Sequence, residues 1–316
     1  VPTRPKVLRH TAGELANLIG KNLPQPVVFL GMAETAVGLG QAVHSAWRAQ
    51  TGEDAWFIQS TRQTHEEMAV WAQFEEGHSH ATSHLVHVPD QKEVFVAAKT
   101  LIIVDDECST GKTFVKVEDA MREVMPNLER VIDVVITDWA GDTPRERVSL
   151  VSGTLGWEPN GIIEAVPGQN ANTHGKTKRG KSPGRTGYKV TERRIDNFIK
   201  VKAGERITVL SDGENSYDAL LVAESLETAG AVAAVQSITR SPAHVGGALK
   251  ERAIFTDAHG SGATCYSYNL GAHHPDRYVI VVEEVGNQGA ELAKQTGMDL
   301  DKIHVLQLET EEGEKA

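Results

Sequence analysis

The chain is predicted to adopt an α/β fold, with a parallel, doubly wound sheet followed by a second α/β domain. In the first half, short apolar runs alternate with stretches of helical periodicity, a pattern typical of parallel strands covered by helices. Where one of these runs ends, two carboxylates and a group of hydroxyl residues follow. The same order of features returns in the second half, which predicts that the second domain is a diverged copy of the first; two unrelated α/β halves that share a strand order are the alternative.

Apolar, largely β-branched runs predict four buried strands, and a more polar run predicts an edge strand: residues 26–30, 55–60, 101–104, 130–137 and 148–155. A capping box at Thr11–Glu14 and apolar residues on one helical face up to Leu23 predict a helix that begins at Thr11, ends before Pro24 and covers the sheet. Further helices are predicted to follow the first and third strands, up to about residue 50 and over residues 113–124. Ligands bind at the carboxyl ends of the strands in such sheets, so the loops after the strands are the candidate site.

The most informative segment is residues 101–113, Leu-Ile-Ile-Val-Asp-Asp-Glu-Cys-Ser-Thr-Gly-Lys-Thr. Asp105 and Asp106 follow the buried strand, and hydroxyl residues with Gly111 precede the next helix. The first N–H groups of a helix have no internal partner, so they are suited to bind anions. The segment therefore predicts an anion-binding loop beside a site for a diol or a metal ion.

This segment resembles the signature by which type I phosphoribosyltransferases bind 5-phosphoribosyl-1-pyrophosphate (PRPP). The resemblance implies that Asp105 and Asp106 hold the ribose hydroxyls, directly or through Mg²⁺ and water. It also implies that five residues surround the 5-phosphate: Ser109, Thr110, Gly111, Lys112 and Thr113. Lys112 departs from the family, which often has a glycine there, and so does Glu107, where an apolar residue is common.

Two other interpretations of residues 101–113 stay open. Gly111-Lys112-Thr113 also ends the phosphate-binding loop of nucleotide triphosphatases. That loop begins with a glycine where this chain has Asp106, whose charge would repel a triphosphate. The second interpretation is a strand-to-helix turn with acidic and hydroxyl caps and no ligand.

The family resemblance assigns the loop after the first strand to pyrophosphate, through Gly31, Met32, Ala33, Glu34 and Thr35. It also implies a mobile loop between residues 63 and 89 that closes over the site, with these catalytic candidates: Arg62, Glu76, His78 and His80. A zinc site formed by His78, His80 and His84 is one alternative, and a polar loop without a bound group is another. For Arg62 the alternative is an ordinary surface position.

Residues 169–204 are predicted to be a basic linker or loop between a domain at 1–168 and a domain at 205–316. Six Lys or Arg residues lie between residues 176 and 189, and they either fold over a phosphate-rich ligand or stay solvated.

Three segments of the second half match segments of the first half in order. Residues 207–214 match 27–34, residues 235–240 match 58–62, and residues 281–289 match 103–111. The hydroxyl residues of the third segment are replaced by Asn287 and Gln288. The second domain is therefore expected to bind something other than PRPP, such as part of the acceptor, in a pocket formed by Asp212, Glu214, Arg240, Glu283 and Glu284.

A phosphoribosyltransferase half joined to Thr239-Arg240-Ser241-Pro242 resembles the phosphoribosyltransferase plus "TRSP" proteins found with bacterial tellurite-resistance and stress operons. This resemblance implies a PRPP-dependent enzyme that transfers phosphoribosyl to a base-like nitrogen acceptor, or the reverse, in a nucleotide-like biosynthetic pathway. Two alternatives remain: a non-catalytic regulator that binds PRPP or a nucleotide, and a two-domain pyrophosphokinase-like enzyme.

Composition narrows the class of partner. A net charge of -11 argues against nucleic acid and an anionic membrane surface as partners. The two cysteines are too few for a disulfide framework, and no apolar run has the length of a membrane span. These features predict a cytoplasmic protein. The family resemblance implies that its partners are PRPP and a base-like small molecule, and a homodimer stays open.

Overall fold

The computed structural model describes residues 1–75, 83–156, 158, 174–177, 182–190 and 199–307. The strands described before residue 200 are β1 (Val27–Gly31), β2 (Trp56–Gln59), β3 (Gln63–His65), β4 (Val70–Glu75), β5 (Ser83–His87), β6 (Thr100–Val104), β7 (Glu107–Cys108), β8 (Arg130–Asp138), β9 (Arg147–Ser152) and β10 (Gly175–Thr177). The helices of the same part are α1 (Pro5–Ile19), α2 (Val37–Thr51), α3 (Lys92–Val96), α4 (Lys112–Val124) and α5 (Pro183–Thr186).

The strands that follow are β11 (Arg206–Asp212), β12 (Val232–Ile238), β13 (Arg252–Thr256), β14 (Thr264–Tyr268), β15 (Arg277–Val282) and β16 (Ile303–Gln307). Helices α6 (Ser216–Thr228) and α7 (Gln288–Thr296) accompany them, with short 3-10 turns at Gly213–Asn215, Leu270–His273 and Leu300–Lys302.

The first half forms a parallel sheet in the order β2-β1-β6-β8, which confirms the predicted fold class. Strand β7 resumes the pairing of β6 with β8 beyond Asp105-Asp106, and β9 pairs with β8 as the predicted edge strand. The central strands β1 and β6 are buried along their whole length because helices or loops cover both faces.

The predicted start of the first helix is wrong. Helix α1 begins at Pro5, so Thr11 and Glu14 lie inside it and form no capping box. Proline suits the first helical position because its φ angle is already helical and the N–H group that it lacks would have no partner there. Arg4, the residue before the helix, has an extended backbone, so the helix begins directly after it.

The second half forms a parallel sheet in the order β12-β11-β15-β16. This is the order of β2, β1, β6 and β8, as expected for a copy. The likeness extends to the edges: each sheet carries an antiparallel hairpin, β4-β5 in the first half and β13-β14 in the second. Thr61 forms a bridge to Leu85 in β5, and Thr239 forms a bridge to Tyr266 in β14.

One apolar core is shared by both halves. It includes Phe29 and Val43 of the first half, and Val209 and Leu220 of the second. Helices α2 and α6 pack on each other between the two sheets, so burial of apolar surface stabilises the junction between the halves as well as each half. Among the described residues, no helix is long and apolar enough to cross a membrane.

The basic segment packs against both halves. Strand β10 pairs with β3, and Tyr188 forms a bridge to Phe57 in β2. The side chain of Arg185 is 1% exposed, so a solvated linker is the wrong interpretation for this residue.

Candidate functional site

Asp105 and Asp106 lie at the carboxyl end of β6, at the centre of the first sheet. Their backbone is fixed, because the Asp105 N–H group donates to Val134 and the Asp106 carbonyl accepts from Ile136 and Thr137. Asp105 is half-buried and Asp106 is exposed. This geometry holds two carboxylates rigidly at an open edge, where their oxygens are able to accept hydrogen bonds from hydroxyls or coordinate a cation.

The loop that follows this pair leads into α4 through Gly111. Gly111 has a φ of 74°, a left-handed conformation that favours glycine, and it caps the first turn of the helix. Ser109, Thr110 and Lys112 are exposed, and Thr113 is half-buried in the first turn. The loop therefore places hydroxyl side chains next to the first N–H groups of a helix, a combination that suits a phosphate.

Arg147, which the sequence analysis did not identify, lies behind this loop. A Cβ atom at position 111 would be 3.0 Å from its Nη2 atom. Its side chain is held between Asp138, with Nη1 3.2 Å from both carboxylate oxygens, and Asp133, whose Oδ2 lies 3.5 Å from Nη2. Arg147 thus supports the loop from below, and no local motif around residue 147 indicates this role.

The loop at residues 31–35 is held by the neighbouring strand ends. The N–H group of Ala33 donates to Ser60 Oγ at 2.9 Å, and Ser60 is hydrogen-bonded to His84 Nδ1 at 3.1 Å. His84 is buried and stacks on Phe74. Its position beneath the loop gives His84 a structural role, which differs from the zinc ligation that the histidine pattern of this segment suggested.

The carboxylate of Glu34 points into the second half of the chain. Its Oε2 atom accepts a hydrogen bond from the backbone N–H group of Arg240 at 3.1 Å, and its Oε1 lies 3.2 Å from Arg240 Nε. Burial raises the pKa of Glu34, although Arg240 and Arg62 counteract that shift. Arg240 Nη2 also lies 3.4 Å from Asp257 Oδ1. The guanidinium of Arg240 therefore forms ion pairs with two acids, Glu34 and Asp257.

Glu214 makes the reciprocal contact from the second half to the first. It accepts hydrogen bonds from Thr61 Oγ1 and from the backbone N–H group of Arg62, each at 2.6 Å. Arg62 donates to the carbonyl of Ser83 and is buried, so it is not an ordinary surface arginine. Each half therefore supplies one glutamate to the Thr-Arg turn of the other.

Arg185 lies between two acids of the second half. Its Nη2 is 2.7 Å from Glu214 Oε2, and its Nη1 donates to Glu283 Oε1. Burial alone would raise the pKa of Glu214, but Arg185, Thr61 and the N–H group of Arg62 outweigh it and lower this pKa to about 2. The acids expected to form a second-domain pocket are thus already paired within the protein.

Asp212 lies next to this group, with Oδ2 3.7 Å from His259 Nε2. His259 Nε2 is also 3.9 Å from Glu283 Oε2, and Asp212 and Arg240 line one small cavity. The loops at Asp212, Arg240 and Glu283 therefore meet at one carboxyl edge. Burial raises the pKa of Asp212 to about 6, partly opposed by His259. Glu284 is half-buried beside Glu283.

The acid pairs of the two halves differ by one residue in register. Gly31 pairs with Val104, and Ser211, its counterpart, pairs with Val281. Counted from these residues, Glu283 occupies the place of Asp106, and not that of Asp105 as the sequence alignment predicted. A shift of one residue moves a side chain to the opposite face of a strand. Glu283 and Glu284 are therefore not oriented relative to their sheet as Asp105 and Asp106 are.

Three of the catalytic candidates, Glu76, His78 and His80, lie outside the described residues. Cys108, within the candidate loop, is buried, and burial raises its pKa to about 11. It is therefore a neutral thiol at physiological pH and no nucleophile.

Comparison with known proteins identifies a family model for each half of the chain. A family model described as phosphoribosyl transferase matches residues 1–166. A second model, the TRSP domain that lies C-terminal to that domain, matches residues 174–298. No curated protein matches the chain.

Solved structures similar to the chain include purine phosphoribosyltransferases. The adenine enzyme of Giardia lamblia, solved with 9-deazaadenine, is 14% identical over 48% of this chain and 82% of its own, with a TM-score of 0.34. The hypoxanthine enzyme of Staphylococcus aureus is 12% identical over 49% and 76%, with a TM-score of 0.31. The match of the first family model over residues 1–166 decides the identity: the chain belongs to the phosphoribosyl transferase family and carries a TRSP domain after its transferase domain.

Proposed function

We propose that the first half transfers phosphoribosyl between PRPP and a nitrogen of a base-like acceptor, in a pathway that makes a nucleotide-like compound. The observation that carries the proposal is the meeting of three features at one sheet edge: the carboxylates of Asp105 and Asp106, the helix-capping loop 109–113 and the loop 31–35. They suit the ribose diol, the 5-phosphate and the pyrophosphate of PRPP, respectively.

In this reaction the bond between C1 of the ribose and the pyrophosphate oxygen breaks, and pyrophosphate keeps the electron pair. The acceptor nitrogen forms the new bond to C1 and loses its proton. The protein contributes mainly by holding the two reactants in place and by stabilising charge. In the proposal, Arg62, Glu76, His78 and His80 belong to the segment that contacts pyrophosphate or the base and excludes water.

The donor set at Asp105 and Asp106 fits Mg²⁺. This ion prefers oxygen ligands, keeps several waters and is held by one or two carboxylates together with substrate phosphates. Among the described residues no group of three or more ligating side chains occurs, so the two carboxylates would share the ion with water and PRPP. When bound, Mg²⁺ would neutralise charge on the leaving pyrophosphate.

A regulator that binds PRPP without catalysis would use the same edge of the first sheet. It would differ from the proposed enzyme only in having no turnover. A pyrophosphokinase-like enzyme is less consistent with the structure, because Arg185 and His259 occupy the acid-bearing edge of the second sheet.

Calorimetry with PRPP and Mg²⁺ tests the proposed function. The double variant Asp105→Asn, Asp106→Asn should melt near the wild-type temperature while PRPP binding weakens by about 1–3 kcal/mol, the scale of lost charge-assisted contacts. Asp142→Asn, an exposed acid outside the site, is the control and should bind normally. Unchanged PRPP affinity in the double variant would refute the assignment.

A further inference from the structure

A cavity of about 380 Å³ lies between the two halves and is lined by residues of the candidate site. Asp106 comes from the carboxylate pair and Thr35 from the loop at 31–35. Helix α6 contributes Leu220, and β12 contributes Ser237. The volume is within the range of small-molecule sites, about 300–1,000 Å³.

The position of the cavity relates it to the reacting carbon of PRPP. The proposed function places the ribose hydroxyls at Asp105-Asp106 and the pyrophosphate at residues 31–35. C1 of the ribose bears the pyrophosphate and adjoins one of these hydroxyls, so it would lie between the two loops. Because the cavity is lined by a residue of each loop, its occupant would adjoin C1.

The lining describes the chemistry of the occupant. The walls are largely apolar and include Leu39, Ala42, Ile136 and Leu220. Among the described residues that line the cavity, Asp106 bears the one charged side chain. With no arginine or lysine side chain among them, an anionic ring would lose its hydration and gain no counter-charge from a side chain of the wall.

The hydroxyl of Ser237, in the second half, is able to orient a ring in the cavity through a hydrogen bond. Ser211 and Ser237 hydroxyls are 2.7 Å apart, and Ser237 lines the cavity. A pair of hydroxyls uses one proton for the bond between them, so the other proton remains to be donated. Ser237 is half-buried, which leaves its hydroxyl within reach of a ligand.

We propose that this cavity is the acceptor site and that it takes an uncharged, planar heteroaromatic ring, with the second half supplying one wall and an orienting hydroxyl. The proposal rests on the proposed function and deepens it, because it assigns the TRSP domain a direct part in acceptor binding. It also moves the acceptor away from Arg240, whose charge is already paired with Glu34 and Asp257.

Ligand-detected NMR on the full chain with PRPP and Mg²⁺ tests the proposal. Adenine, hypoxanthine and nicotinamide serve as uncharged probes, and orotate and anthranilate as anionic ones. At least one of the uncharged rings should bind, and neither of the two anions should bind. Ser237→Leu should weaken ring binding by about ten-fold or more because its side chain fills the cavity, and PRPP affinity should stay within about two-fold. Ser152→Leu, at an exposed site on β9, should change neither.

The outcomes separate this inference from the proposed function. If PRPP binds but no uncharged ring does, if the anions bind equally well, or if Ser237→Leu leaves ring binding unchanged, the acceptor site is overturned. If PRPP fails to bind the wild-type chain, the proposed function is overturned instead. Thr11→Phe fills the same cavity from α1 and gives the same test should Ser237→Leu fail to fold.

Discussion

Glu34 and Arg240 are 206 positions apart along the chain, yet they form a buried ion pair across the two halves, with 3.2 Å between Glu34 Oε1 and Arg240 Nε. Glu214 makes the reciprocal contact with the turn at Thr61 and Arg62. The loop proposed to bind pyrophosphate is therefore shaped by a residue of the second domain.

Replacing Arg240 with methionine should loosen this loop. Removing one partner of a buried ion pair costs about 3–5 kcal/mol because the other charge is left uncompensated. Urea unfolding should show that loss, and pyrophosphate titration should show weaker binding. In the double variant with Glu34→Gln, part of the loss should be recovered, since Glu34 is then neutral and Asp257 alone remains a buried acid without Arg240. Strictly additive effects of the two substitutions would contradict a direct pairing.

Gly111→Ala should weaken PRPP binding. The φ of 74° is unfavourable for alanine, and the new Cβ would be 3.0 Å from Arg147 Nη2. Gly141→Ala is a matched control, because Gly141 has a φ of 71° and no atom within 4 Å of the added Cβ. Both variants should lose about 1 kcal/mol of stability from backbone strain, but only Gly111→Ala should lose PRPP affinity. Equal PRPP affinity in the two variants would contradict a role for the loop in phosphate binding.

Asp212→Asn should stabilise the protein at neutral pH. Burial raises the pKa of Asp212 to about 6, above its ordinary value of 3.8, so between these pH values the folded state binds more protons than the unfolded state. The stability of the wild type at this site therefore falls as pH rises from about 4 to 6. The variant lacks this penalty, so its advantage in melting temperature should be larger at pH 7.5 than at pH 4. An advantage that does not change with pH would count against a buried, charged Asp212.

Arg185→Met should destabilise the chain by about 3–5 kcal/mol, because Glu214 and Glu283 would stay buried without their counter-charge. Lys189→Met is the comparison: Lys189 pairs with Asp54 at the surface, where an ion pair contributes about 0–1 kcal/mol. Chemical unfolding of both variants measures the difference. A loss in Arg185→Met no larger than that in Lys189→Met would show that the buried pairs contribute little.

Sequence patterns predicted the features that depend on the order of residues within a short segment. The apolar runs of β1, β6 and β8 and the acid pair at Asp105-Asp106 follow from periodicity and position along the chain. The contacts of Arg147 and Arg185 could not be predicted, because they depend on how distant segments pack. The predicted register of Glu283 was wrong by one residue because the two acid pairs were matched by residue type, whereas the true register is set by strand pairing between distant segments.

The position of Arg185 has a consequence for modularity. Its backbone neighbour Tyr188 is hydrogen-bonded to Phe57 of the first half, while its guanidinium neutralises two acids of the second. Arg185 and both acids lie within residues 174–298, the TRSP domain, and the basic segment contacts the transferase through Tyr188 with Phe57 and through Arg185 Nε with Thr61 Oγ1. A second domain taken from another protein would fit this transferase only if it brought a segment that matches Phe57 and Thr61. Exchange of whole domains by recombination is therefore disfavoured, and the two halves are expected to be inherited together and to change in concert.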